Sequence, residues 1–251
     1  MSPTIHVFQR FCAFSNNSHN KGRPAWFDRA ALFDHFQKTI GNRPDVKYTA
    51  VYDNSHGALS DHFLSEKKGV KVICFDGGDD ARSFVNLLDY VLQQDIPETD
   101  VVYLLEDDYL HTNSWIQTMH EAFTRDEFDY VTLYDHPDKY GQLYPHLLSS
   151  ITCTASRHWR TTPSTTNTYA CRFRTLKEDA SVHYEHCELH NKFTNDHMKF
   201  CHLRSNGRVL VSCMPSECTH VENGQLAPVI DWSHEVLQRT SADAIPAHQD
   251  T

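Results

Sequence analysis

Apolar residues along the chain form short continuous runs that alternate with segments of helical spacing. The short runs are rich in β-branched and aromatic residues, and they predict five strands, at residues 5–8, 46–52, 70–75, 101–105 and 130–134. Between them, apolar side chains recur every three or four positions and predict helices over residues 25–40, residues 81–94 and a segment that begins near Trp115. Asn113 or Ser114 is placed to cap the third helix. This alternation predicts an α/β fold with helices on both faces of a mostly parallel central sheet.

The run at residues 101–105 stops at three consecutive acids, Glu106, Asp107 and Asp108. Five uninterrupted apolar residues predict a strand that is covered on both faces. Carboxylates at the end of such a strand cost free energy unless a cation neutralises them. Mg²⁺ and Mn²⁺ prefer carboxylate and phosphate oxygens, so we predict a divalent metal that holds a phosphorylated ligand. The alternative is a solvated acidic turn that caps the next helix.

Aspartates follow four of the predicted strands. They are Asp53, Asp76, Asp107 with Asp108, and Asp135. The carboxyl ends of parallel strands meet at one edge of a sheet, where α/β proteins bind their ligands, so we expect these residues to line one crevice. A single aspartate after a strand is usually a turn residue. Four at one edge favour a ligand site.

Regular spacing decreases after residue 140, and residues 141–180 are predicted to be mostly loop. This segment contains Arg157, Trp159 and Arg160, followed by many hydroxyl side chains. Arginine pairs with phosphate, and hydroxyls with an indole ring suit a sugar, although a polar surface loop is an equal alternative. A helix that ends near residue 202 and a strand at residues 209–212 are predicted next. His220 then either completes the metal site or hydrogen-bonds within a turn.

Histidines and cysteines are numerous, with 18 and 8 residues respectively. His183, His186 and His190 have helical spacing, and with Cys187 they could hold a metal. No tight zinc-binding pattern is present, however, so a solvated helical face is the preferred interpretation. The cysteines form no CxxC pair and are expected to be reduced.

Charge and length exclude several classes of protein. The 251 residues carry a net charge of −10 and no long basic run, which argues against nucleic acid as a partner. No stretch has the length of a transmembrane helix, and the N-terminus lacks the apolar segment of a signal peptide, so a cytoplasmic protein is expected. We expect residues 1–238 to form one domain and residues 239–251 a flexible tail.

The order of the acidic motifs resembles that of GT-A fold glycosyltransferases of the family 2-like type, whose Rossmann-like domain has three α/β/α layers. The acid triplet that ends at Asp108 resembles their DXD-type motif. Asp53 resembles the acid that reads the nucleotide base. Residues 78–84 loosely resemble a Gly-x-x-x-Ala-Arg-Asn stretch, with Ser83 where asparagine is usual.

The later motif of this family, a Glu-Asp pair that carries the catalytic base, is similar to Glu178-Asp179. The resemblance covers residues 4–222. It departs from the family in two places. The Gln-x-x-Arg-Trp motif of processive synthases is absent, which argues against polymer synthesis, and residues 158–160 precede the Glu-Asp pair instead of following it. Short cytosolic enzymes of this kind occur in bacteria and in large DNA viruses. A viral enzyme would be located in the host cytoplasm.

The resemblance implies transfer of a sugar from a nucleoside diphosphate sugar, preferably a UDP-sugar, to a hydroxyl of a glycan acceptor. Inversion is expected, and retention stays open. Asp108, Glu106 and His220 would hold Mn²⁺ or Mg²⁺, and Asp179 would be the catalytic base. The donor-binding residues would be Asp53, Asp76, Arg82, Asp107, Arg157, Trp159 and Arg160.

Two alternative functions belong to other classes. A sugar-1-phosphate nucleotidyltransferase normally carries a glycine-rich basic loop after its first strand, and residues 9–14 contain no glycine, which argues against it. A non-catalytic protein that binds nucleotide sugars would share the same binding residues.

Overall fold

The computed structural model describes residues 2–15, 19–141 and 143–233. Its strands are β1 (Ile5–Cys12), β2 (Val46–Asp53), β3 (Val72–Phe75), β4 (Val101–Glu106), β5 (Tyr109–His111), β6 (Tyr130–Thr132), β7 (Ile151–Cys153), β8 (His158–Thr161), β9 (Tyr169–Arg172), β10 (Cys187–Glu188), β11 (Phe193–Thr194), β12 (Leu210–Met214) and β13 (Cys218–His220). Its α-helices are α1 (Arg29–Ile40), α2 (Asp80–Leu92), α3 (Trp115–Ala122), α4 (Phe173–Glu178), α5 (Ala180–Glu185) and α6 (Asp196–Ser205). The tail predicted at residues 239–251 lies outside the described residues.

A nine-stranded sheet runs through the described part of the chain in the order β3-β2-β1-β4-β9-β6-β12-β8-β7. Strands β3, β2, β1 and β4 pair in parallel, as do β6 and β12. Strands β9 and β8 pair antiparallel with both of their neighbours, and the other seven of the nine strands share one direction. The predicted α/β fold with a mostly parallel central sheet is confirmed. No helix within the described ranges is long and apolar enough to cross a membrane.

Alternating side chains of β4 form part of the core on each face of the sheet. Val101, Tyr103 and Leu105 pack with residues of α1 and α3 on one face. Val102 and Leu104 pack with α2, α4 and α6 on the other. A strand that is buried on both faces needs an unbroken apolar sequence, which explains the run from which it was predicted.

A separate two-stranded ribbon pairs β5 with β13 beyond the end of β4. Its antiparallel register sets His220 opposite Tyr109, and the two rings stack with their centroids 5.2 Å apart. Because Tyr109 follows the acid triplet directly, this ribbon brings a histidine from near the end of the described chain to the carboxyl end of β4.

The segment predicted to be loop, residues 141–180, contains three strands of the main sheet and helix α4. Strands β7, β8 and β9 are only three or four residues long, and each pairs antiparallel within the sheet. The predicted helix that ends near residue 202 is also divided, into α4, α5, the β10–β11 hairpin and α6. Short, partly polar strands depend on distant partners, so their own spacing predicts them poorly.

Candidate active site

A cleft of about 690 Å³ opens at the carboxyl ends of β1, β2 and β4. Its acidic lining residues are Asp53, Asp79, Asp80, Glu106, Asp107, Asp108 and Asp196. Its basic residues and histidines are Arg10, Lys21, Arg29, His56, Lys192 and His220. The position agrees with the edge at which a parallel sheet binds ligands. A cleft with both signs of charge suits a ligand that brings phosphate groups together with a metal ion.

Each acid of the triplet faces a cationic group of this chain. Glu106 Oε1 lies 2.9 Å from Arg10 Nη2. Asp107 Oδ2 lies 3.2 Å from Arg29 Nε. Asp108 Oδ2 accepts from Arg23 at 2.8 Å and lies 2.9 Å from His220 Nε2. These partners supply positive charge that carboxylates at the end of a buried strand require.

The triplet titrates unevenly because its members differ in pairing. Burial raises the pKa of Glu106 to about 7 and that of Asp107 to about 6; the negative charge of Asp108 acts in the same direction, while Arg10 and Arg29 oppose the two shifts. Burial alone would also raise the pKa of Asp108, but the pairing with His220 and Arg23 outweighs it and holds that pKa well below its usual range. Asp108 therefore keeps a negative charge at neutral pH.

The two carboxylate oxygens of Asp108 differ in their hydrogen bonding. Oδ1 is buried and has no hydrogen-bond partner within the described residues. A buried carboxylate oxygen without a partner is costly, and it is an available ligand for a hard cation. His220 adds an imidazole next to the same carboxylate. A divalent metal such as Mn²⁺ accepts carboxylate and imidazole ligands, so these two residues fit it. Glu106, the third predicted ligand, pairs with Arg10 and does not form a three-ligand group with them in the described part of the chain.

Asp53 organises the turn that forms part of the cleft wall. Its carboxylate accepts from the backbone N–H groups of Ser55, Gly77 and Gly78 at 3.0, 3.0 and 3.2 Å. A Cβ atom on Gly77 would lie 2.5 Å from Asp53 Oδ2, so this approach requires glycine. The structure thus gives Asp53 a role in the turn, and its contact with a nucleotide base stays a prediction.

Arg10 joins the acid triplet to the opposite wall of the cleft. Besides Glu106, it donates to Asp80 Oδ1 at 3.2 Å. The other oxygen of Asp80 accepts from the backbone and side chain of Thr194 at 3.0 and 2.8 Å. These contacts fix the end of the β10–β11 hairpin, and α6 begins two residues later at Asp196.

Asp196 brings a carboxyl group to the cleft from an element other than β4. It lies in the first turn of α6, and its Oδ1 is 3.3 Å from Lys199 Nζ. Burial raises the pKa of Asp196, and Lys199 only partly offsets this. A carboxylate with a raised pKa is a better proton acceptor than an ordinary one.

Asp179, the predicted catalytic base, lies at the opposite edge of the sheet. Strand β9 pairs its last residue, Arg172, with Val101 at the start of β4, and α4 leaves from there. Asp179 ends that helix and bonds Tyr130 Oη at 2.7 Å and Arg208 Nε at 2.8 Å. It does not line the cleft, so its predicted role is corrected: it is a buried structural carboxylate.

Three predicted donor contacts are directed elsewhere. Arg157 pairs with buried Glu217, and Arg160 bonds Asp135 at 2.5 Å. Trp159, which lies between these two arginines in the sequence, is completely buried in the core. Their mixture of cationic and aromatic groups predicts a sugar-phosphate loop, but Trp159 and Arg160 are successive residues of β8, and successive side chains of a strand point to opposite faces of the sheet. None of them lines the cleft.

The two remaining predicted donor contacts are exposed. Arg82 pairs with Asp79 at 2.7 Å at the start of α2, and its side chain is 55% exposed. Asp76 is exposed as well, and neither residue lines the cleft. Of the predicted site residues, the structure brings Asp53 together with the acid triplet and His220.

Several residues of the cleft were absent from the sequence prediction. They are Arg10, Lys21, Arg29, Asp80, Thr194 and Asp196. The position of Arg10 was indicated by the sequence, because a charged residue interrupts the apolar pattern near the end of β1. The position of Asp196 was indicated by Asn195, a capping residue whose side chain accepts from Met198 N at the start of α6. Lys21 lies outside the strands and helices, Arg29 and Asp80 are the first residues of α1 and α2, and Thr194 is the last residue of β11. Sequence spacing does not show that these positions meet in one cleft.

Comparisons with known proteins identify the fold. No protein-family model and no curated protein matches this sequence. The solved structure of CMP:2-keto-3-deoxy-manno-octonic acid synthetase complexed with CTP is similar, with a TM-score of 0.54 over 95% of this chain and 99% of that chain. The two sequences are 11% identical, so the similarity shows a shared fold.

Proposed function

We propose that this chain is a divalent-metal-dependent transferase that acts on a nucleotide sugar and passes the sugar to an acceptor hydroxyl. The observation that carries the proposal is the pairing of Asp108 with His220 at the carboxyl ends of the parallel strands, where one buried oxygen of Asp108 has no hydrogen-bond partner among the residues that the structure describes. A metal at these residues would supply positive charge to the diphosphate leaving group. Lys21 and Arg29 line the same cleft and would contact phosphate oxygens.

Asp196 is the proposed catalytic base. A sugar hydroxyl is a poor nucleophile near neutral pH, so transfer needs a proton acceptor within hydrogen-bond reach. In the reaction, the acceptor oxygen bonds to the anomeric carbon, the bond from that carbon to the phosphate oxygen breaks, and the proton passes to Asp196. Its position on α6, across Asp80 and Arg10 from the triplet, and its raised pKa support this role.

A second candidate is nucleotidyl transfer, in which a sugar oxygen attacks a nucleoside triphosphate and pyrophosphate leaves. Basic residues after β1 favour it. Residues 9–14 lack glycine, but Lys21, Gly22 and Arg23 follow later in the sequence, and Lys21 lines the cleft. The similar fold of CMP:2-keto-3-deoxy-manno-octonic acid synthetase complexed with CTP favours the same candidate.

Product analysis separates the two reactions. The protein is incubated with Mn²⁺ and a panel of nucleoside diphosphate sugars, or with nucleoside triphosphates and sugar phosphates. Release of nucleoside diphosphate that depends on an added acceptor supports glycosyl transfer. Release of pyrophosphate alone would replace it with the second candidate. Binding without either product would identify a non-catalytic nucleotide-sugar-binding protein.

A further inference from the structure

A second group of metal-ligating side chains lies outside the cleft. Glu185, His186 and His202 each offer a ligand atom, and these atoms lie within 4.8 Å of one another. His186 Nε2 is 3.2 Å from His202 Nδ1, and Glu185 Oε2 is 3.6 Å from the same nitrogen. None of these three residues lines the cleft or belongs to the proposed catalytic machinery.

These separations fit a shared ion. Zinc bonds to histidine nitrogen and carboxylate oxygen are about 2.0–2.2 Å long, so two ligands of a tetrahedral ion lie about 3.3 Å apart. Hydrogen bonding explains the cluster less well. A single ring nitrogen of His202 faces both an imidazole nitrogen and a carboxylate oxygen, and it can donate one hydrogen or accept one, but not both. A cation satisfies all three groups together.

We propose that Glu185, His186 and His202 bind a divalent transition-metal ion of the zinc class. Two imidazoles and one carboxylate leave a fourth position for water, as zinc sites with three protein ligands do. The sequence spacing had favoured a solvated helical face for His183, His186 and His190. In the structure, His183 is buried, His190 is exposed, and the partner of His186 comes from the next helix instead.

The ion would join two helices. Glu185 is the last residue of α5, His186 follows it, and His202 lies in the last two turns of α6. The first turn of α6 carries Asp196 to the cleft. An ion that ties α6 to α5 therefore restrains an element on which one wall of the cleft depends, whichever reaction the cleft performs.

Metal titration of the full chain tests the site. Chelator-treated protein is titrated with Zn²⁺ by calorimetry, and Co²⁺ is added separately because its visible absorption reports tetrahedral coordination. We expect His202→Asn to bind one equivalent less than the unmodified chain. Loss of even an indirect partner weakens metal binding by about 10–100-fold, so Glu185→Gln should weaken this equivalent at least tenfold.

His190→Ala is the matched control, because it removes a nearby exposed histidine outside the cluster. It should retain the full stoichiometry and the Co²⁺ spectrum. Equal stoichiometry and affinity in all four proteins would overturn the proposal and leave a histidine–histidine hydrogen bond. If His202→Asn fails to fold, as judged by circular dichroism without metal, the exposed substitution Glu185→Gln decides the result.

Discussion

At the scale of single residues, acids that follow strands of the same sheet have different chemistry because their partners differ. Asp108 and Asp76 both follow parallel strands, yet one is buried against His220 and Arg23 while the other is exposed. The sequence reveals that an acid follows a strand. It does not reveal which of these acids lies next to Arg23 and His220, because that depends on the order of the strands in the sheet.

The first prediction concerns Asp108. Asp108→Asn removes the negative charge that would hold the metal, so Mn²⁺ should no longer strengthen the stabilisation given by a nucleoside diphosphate. The measurement is the unfolding temperature with UDP, with and without Mn²⁺. Ligand at a hundredfold excess over its dissociation constant stabilises a protein by about 2.7 kcal/mol. Asp76→Asn is the control and should respond like the unmodified chain. A full Mn²⁺ response in Asp108→Asn would remove this residue from the metal site.

The second prediction compares two candidate bases. Asp196→Asn should bind donor and Mn²⁺ normally and lose transfer by about 10²–10⁴-fold, the usual contribution of general acid–base catalysis. Asp179→Asn should keep its transfer rate and lose about 1–3 kcal/mol of stability, because charge-assisted bonds to Arg208 and Tyr130 weaken. Transfer rates and urea unfolding are measured for both variants. The reverse pattern would restore Asp179 as the base.

The third prediction concerns Cys12, at the end of β1 in the cleft. Burial, together with the negative charge of Asp107, raises the pKa of its thiol to about 12. Only the thiolate reacts with iodoacetamide, so at pH 8 Cys12 should react roughly a thousandfold more slowly than an ordinary thiol. Exposed Cys74 and Cys153 are internal references. Mass spectrometry gives the rate at each site, and equal rates in the folded protein would contradict the raised pKa.

At the scale of elements, long periodic segments were predictable and short paired strands were not. The apolar positions that predict β4 and α2 are the positions that these elements bury in the core. Strand β8 has only four residues; it pairs locally with β7 and joins the rest of the sheet only through β12, which comes much later in the chain. Because this strand was predicted as loop, Trp159 and Arg160, with Arg157 just before the strand, were predicted to bind the donor.

The fourth prediction separates structural from exposed arginines. Arg157 pairs with Glu217, whose side chain is fully buried and also accepts from Thr118 at 2.7 Å. Arg157→Ala leaves that carboxylate without its cation and should cost about 3 kcal/mol of unfolding free energy. Arg82→Ala breaks the exposed pair with Asp79 and should cost less than about 1 kcal/mol.

Urea unfolding measures both arginine variants. Donor binding should be unchanged in each folded variant, because neither side chain lines the cleft. A large loss of donor affinity in folded Arg157→Ala would return this residue to the binding site. A cost below 1 kcal/mol would show that the polar neighbours of Glu217 are sufficient to satisfy its charge.

At the scale of the whole molecule, the sheet separates two kinds of acidic cluster. The carboxyl edge of β1, β2 and β4 holds the cleft, and the other edge holds Asp179 with Arg208. The sequence predicted the sheet and its ligand edge because alternating elements require both. It could not assign Asp179 to an edge, since that required knowing that β9 runs antiparallel to β4.

The β5–β13 ribbon has a consequence for the order in which a growing chain acquires its parts. Asp108 and His220 meet across 112 residues of sequence. Synthesis proceeds from the N-terminus at about 5–20 residues per second, so the residues of β1, β2 and β4 are made several seconds before His220. During that interval Arg10 and Arg29, already synthesised, are the groups that neutralise Glu106 and Asp107. The chain made up to Asp108 therefore already contains the counter-charges of the acid triplet, and the pair proposed to bind the metal can form only after His220 has been made.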